Sequence, residues 1–128
     1  MSSPQKMLII LTEGKADNGR KATLAFSMAL SSLAMELDVT LFLTSDAAVW
    51  GYDQSAYGVS VPGFAPLSDL INQFIETGGK LKLCSTCHMT CGAGDPRKGP
   101  NVETLTCVEV AGMASIIELA IEATTLTF

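Results

Sequence analysis

Residues 7–12, MLIILT, form an apolar run of strand length with no alternation between apolar and polar positions. Such a run fits a strand covered on both faces, the condition inside a parallel sheet. The rest of the chain repeats the theme with helical segments between the runs. Residues 13–19 are polar and contain glycine, so they read as a loop, with Asp17 or Asn18 placed to cap the next helix. From residue 20 to 37, Phe26, Leu30, Leu33 and Leu37 recur every three or four positions, the spacing of an amphipathic helix. Residues 39–43 are a second apolar run, ending near residues 44–46. After Pro66, Leu67, Leu70, Ile71, Phe74 and Ile75 share a helical face, and Gly78-Gly79 stops the helix. Residues 81–83 form a third strand and residues 85–90 start a short helix. Residues 105–110 are a fourth strand-like run. Gly112 then leads into a helix over residues 113–123, with Ile116, Ile117, Ala120 and Ile121 expected inward, before a terminal strand at residues 126–128. Strand alternating with helix from end to end predicts an α/β three-layer sandwich, one domain over residues 1–128 with a mainly parallel five-stranded sheet.

Ligands of such sheets sit beyond the carboxyl ends of the strands. Two loops are expected there: residues 13–19, carrying Glu13 and Lys15, and the segment that begins at Cys84. Residues 47–65 hold Trp50, Tyr52, Tyr57 and Phe64 among several glycines and read as a helical turn followed by a long loop. The aromatics serve either as a partner surface or as pins that hold the loop to the body.

The second constraint is chemical. Cys84, Cys87, His88 and Cys91 lie within eight residues, and they are three of the four cysteines and the only histidine in 128 residues. Inert core cysteines are usually solitary, so this clustering points to thiol chemistry or metal binding. One reading is a nucleophilic thiolate at Cys84, between a strand and a helix start whose free N–H groups stabilise the anion. A second is dithiol redox through Cys84-Ser-Thr-Cys87, with Cys87 resolving an intermediate on Cys84. A third is a metal site, with Cys107 completing the set from the neighbouring strand. Cys84-Ser-Thr-Cys87-His88 also satisfies the c-type haem spacing, but the alternating α/β chain is a poor host for it. Cys107, in an apolar run, is expected to be an inert core residue.

Composition narrows the partners. A net charge of −5 argues against direct nucleic-acid binding, which needs a basic face. Lys80, Lys82, Arg97 and Lys98 nevertheless flank the cluster and are half of the eight basic residues, a locally positive setting that favours thiolate. The longest apolar runs fall well short of the roughly 20 residues of a membrane span. MSSPQKMLII reads as the approach to a first strand and not as a secretory signal, so a cytoplasmic protein is expected. Apolar positions on several helices exceed what a small sheet needs, an excess that points to assembly.

The chain resembles the DsrE family of sulfur-relay proteins. MLIILTEGKADNGRKATLAFSMALSS is similar to the family's opening strand, polar loop and first helix, and CVEVAGMASIIELAIEATTLTF to its characteristic ending. Within CSTCHMTCG, Cys84 stands eight residues before Gly92, as the relay cysteine does in sulfur-relay members. Cys87-His88-Met89-Thr90 resembles the Cys-Gln-Met-Ser-like setting of others. The resemblance implies a flavodoxin-like sandwich, a homotrimer or homohexamer, and sulfane sulfur passed as a persulfide between donor and acceptor proteins, with no cofactor. Cys84 is then the sulfur acceptor and Cys87 its assistant or resolving thiol. Glu13, Lys15, His88 and Cys91 are supporting residues. The extra His88 and Cys91 depart from the simplest family pattern and keep a redox or metal-binding module as the alternative.

Overall fold

The computed structural model describes residues 5–90, 104–105 and 107–128, with the backbone alone at 88–90. In chain order the elements are β1 (Lys6–Leu11), α1 (Arg20–Ala34), β2 (Asp38–Leu43), α2 (Leu67–Glu76), β3 (Lys80–Cys84), α3 (Ser85–Thr90), β4 (Val108–Ala111), α4 (Met113–Glu122) and β5 (Ala123–Thr127). A 3₁₀ helix, Ser45–Gly51, follows β2. The five strands form one sheet in the order β4-β3-β2-β1-β5, and every pairing is parallel.

Alternation along the strands divides the core in two. Ile9, Leu11, Leu41, Leu43, Leu81 and Leu83 face α1 and α2, where Phe26 and Phe74 meet edge to face at 5.7 Å between ring centroids. The other face is thinner: Leu8, Phe42, Cys84 and Ala111 pack with Ile116 of α4. Both faces are therefore covered, which is why the strands read as unbroken apolar runs. The α1 start is fixed by Asp17, whose carboxylate accepts from the N–H groups of Gly19, Arg20 and Lys21. Gly78, at φ 97°, ends α2 in a left-handed turn, as the Gly-Gly pair predicts.

Three expectations are corrected. The fourth strand starts at Val108, not at residue 105. Leu105 instead donates its N–H to the Gly51 carbonyl at 2.9 Å, and Thr104 bridges Tyr52 in antiparallel fashion. Ile117 and Ile121 point outward, 60% and 79% exposed; Ile116, Leu119 and Ala120 are the residues of α4 against the sheet. A single helix lying across a sheet buries only one stripe, and this one leaves Met113, Ile117 and Ile121 on the other. Cys107 is exposed in the turn before β4 and is no core residue. The loop predicted at residues 92–101, with Arg97 and Lys98, lies outside the described residues.

Candidate thiol site

Cys84 is the last residue of β3, paired with Ala111 of β4. Strand alternation turns its side chain to the α4 side of the sheet, where it is 1% exposed. The chain then turns directly into α3, so Cys87 comes back one helical turn later, part-exposed. The two sulfurs lie within hydrogen-bonding reach of each other, and both are free thiols.

The donors around them come from two elements. The backbone N–H groups of Thr86 and Cys87 point at the Cys84 sulfur. From the carboxyl end of β2, the Ser45 N–H donates to Cys87 Sγ at 3.1 Å, and Thr44 Oγ1 lies 3.6 Å from the same sulfur. The Thr44 hydroxyl also stabilises the Cys84 anion, so it bears on both sulfurs. Ser45 stands at φ 55°, a left-handed conformation that costs a non-glycine residue on the order of 1 kcal/mol or more. Such strain is commonly found at functional sites.

These contacts separate the two thiols. Burial alone raises Cys84, but the hydrogen bonds from the Cys87 N–H, the Thr44 hydroxyl, the Cys87 thiol and the Thr86 N–H outweigh it and hold it below its ordinary 9.0. Cys87 moves the other way. Burial and the Cys84 charge raise it above 9.0, against the lowering effect of Thr44 and Ser45. Burial, and then the charge on Cys87, raise the Tyr52 phenol as well. The arrangement can hold a thiolate at Cys84 beside a thiol at Cys87.

The remaining candidates distribute unevenly. Glu13 and Lys15 do lie at the carboxyl edge, after β1. There the Glu13 carbonyl accepts from Trp50 Nε1 at 3.0 Å, and the Lys15 ammonium lies 6.0 Å from the centre of the Trp50 ring. Trp50 is buried in the core on the α1–α2 side, whereas Cys84 packs on the α4 side. His88 continues α3, its side chain undescribed, and Cys91 lies outside the described residues. Cys107 precedes Val108, which pairs with Leu81, so it is four strand positions below the partner of Cys84. That is a separation of about 13 Å, too far to complete a metal site with Cys84. It lines instead a surface depression with Asp53 and Glu76. Among the described residues no three His, Cys, Asp or Glu side chains stand close enough to hold one metal ion.

Thr44 and Ser45 were not anticipated as site residues. They follow the strand that pairs with β3, an adjacency given by the strand order and not by the sequence, at the edge where parallel sheets hold their chemistry.

The model of the DsrE/DsrF-like family matches residues 5–128. The chain belongs to the DsrE/DsrF-like family. Membership supports a role of sulfur-relay type in general. The fold agrees with that of the ychN protein from E. coli, at a TM-score of 0.72 and 22% identity over 97% of this chain and 99% of that one. The conserved protein of unknown function BT1422 from Bacteroides thetaiotaomicron is more distant, at a TM-score of 0.53 and 13% identity over 95% and 94% of the two chains. In sequence, 79 residues are 34% identical to the uncharacterized protein MJ0760 of Methanocaldococcus jannaschii; this stretch is 62% of this chain but only 28% of MJ0760. No helix among the described residues is long and apolar enough to cross a membrane.

Proposed function

We propose that this DsrE/DsrF-like protein carries sulfane sulfur as a persulfide on Cys84, receiving it from one partner protein and releasing it to another in the cytoplasm. The observation that carries this reading is the Cys84 sulfur itself: buried, at the carboxyl end of β3, and surrounded by two backbone N–H groups, a hydroxyl and a thiol. A thiolate held in this way is a nucleophile near neutral pH, and the same donors suit the anion of a persulfide. Cys87 assists or resolves. His88 and Cys91, next along the chain, are the supporting groups, and Glu13 and Lys15 brace the same edge through Trp50. Transfer of a sulfur atom between thiols needs no cofactor.

A second reading has its own observation. Cys84 and Cys87 touch, so a disulfide between them is within reach and a dithiol redox module would use the same pair. Intact-mass measurement after incubation with glutathione persulfide, without reductant, separates the two. The carrier gains one or more sulfur atoms; the redox module loses two hydrogens and gains no sulfur.

A further inference from the structure

We infer that sulfur enters through Cys87 and is handed inward to Cys84, with the Thr44 hydroxyl and the Ser45 N–H holding the Cys87 sulfur as it is released. The inference deepens the carrier reading and rests on it.

Access is the first observation. Cys84 is 1% exposed, so a donor the size of glutathione or a protein persulfide has almost no surface on which to meet it. Cys87 is part-exposed and in contact with Cys84. Exchange at sulfur needs the nucleophile to reach the atom attacked, so the accessible thiol is the natural port of entry.

The second observation is the cradle on Cys87. Ser45 N donates to its sulfur at 3.1 Å and Thr44 Oγ1 lies at 3.6 Å. In the first step the part-exposed Cys87 thiol gives up its proton to solvent and attacks, as the thiolate, the sulfane sulfur of a donor R–S–SH. The Cys87–sulfur bond forms, and R–S⁻ leaves with the electron pair of the broken bond. In the second step the Cys84 thiolate attacks the terminal sulfur of Cys87–S–SH. The new bond is on Cys84, the old sulfur–sulfur bond breaks, and its electron pair stays on Cys87 Sγ; the proton travels with the transferred sulfur. No net oxidation occurs in either step.

The second step can fail in one way. Attack on Cys87 Sγ instead of the terminal sulfur expels HS⁻ and leaves a Cys84–Cys87 disulfide. Attack at the terminal sulfur puts the electron pair on Cys87 Sγ, where the Ser45 N–H at 3.1 Å and the Thr44 hydroxyl at 3.6 Å stabilise the developing charge and so favour release of Cys87. The Thr44 hydroxyl has one proton and can donate to one sulfur at a time. As the electron pair arrives on Cys87 Sγ, the Thr44 hydroxyl 3.6 Å away donates to that sulfur.

The test is rapid-quench peptide mass mapping of sulfur on Cys84, with glutathione persulfide as donor and released sulfide measured in parallel. Cys87→Ser should slow loading of Cys84 by on the order of ten-fold or more while reaching the parental end point. Thr44→Val should slow the inward step and raise sulfide release, and Thr44→Ser, which keeps the hydroxyl, should restore both. Loading of Cys84 at the parental rate in Cys87→Ser overturns the inward relay and leaves the carrier reading standing. Sulfide release unchanged in Thr44→Val overturns the role of the hydroxyl. If the parent itself takes up no sulfur, the carrier reading falls and the relay falls with it.

Discussion

At the scale of single residues, the candidate site is a pair of thiols three positions apart that differ in burial and ionisation. Cys84 ends a strand and Cys87 lies one turn into a helix, so the first is buried and the second part-exposed. Their ionisation is displaced in opposite directions from 9.0, Cys84 downward and Cys87 upward. The thiolate is the reactive form, so a lower pKa moves the onset of reactivity to lower pH. Site-resolved alkylation as a function of pH should therefore give a midpoint below 9.0 for Cys84 and above 9.0 for Cys87, whatever the absolute rates. A midpoint for Cys87 below that of Cys84 would contradict the geometry. The Thr44→Val substitution should move the Cys84 midpoint upward, because it removes one donor from the anion. Cys84 was legible in the sequence because a thiol directly after an apolar strand must fall on the carboxyl edge. Thr44 was not, because only strand order puts the end of β2 beside that of β3. Cys107 misled because its apolar neighbours suggested a strand interior. The chain there is tied to Gly51 and Tyr52 and enters the sheet only afterwards.

At the scale of elements, α2 and β3 are joined by a turn that holds two glycines, one of which has no spare room. A Cβ at Gly79 would overlap the ring of Phe74, which is fully buried and stacked edge to face on Phe26. Gly79→Ala should destabilise the fold by about 1–3 kcal/mol through overpacking, measured by urea unfolding. Gly78 meets nothing within 4 Å but sits at φ 97°, so Gly78→Ala should cost about 1 kcal/mol through backbone conformation alone. Equal and negligible effects at both positions would show that this turn does not set the start of β3, and with it the placement of Cys84. Helix periodicity and the Gly-Gly stop located α2 well, because a strongly amphipathic helix packed on one side of a sheet obeys its pattern. The same reasoning failed on α4. Its isoleucines and alanines are apolar on more than one face, so periodicity alone could not say which stripe meets the sheet.

At the scale of the whole molecule, that second stripe is the feature left over. Met113, Ile117 and Ile121 follow one another at intervals of four on α4 and are all more than half exposed. Assembly into a homotrimer or homohexamer, expected from the apolar excess and the family, would cover such a surface. Light scattering at micromolar concentration should report an oligomer, and Ile117→Lys with Ile121→Lys should shift it toward monomer; a monomeric parent would contradict this. The alternating order of strand and helix was sufficient to predict the parallel sheet, because each apolar run has to be covered on both faces. The proposed function rests on one sulfur at the edge of that sheet. The most direct test is to load the protein with glutathione persulfide, remove the excess, and locate the added sulfur by peptide mass mapping. Retained sulfur on Cys84 is the predicted result; sulfur found only on Cys87 or Cys107, or none at all, would contradict a persulfide carried at Cys84.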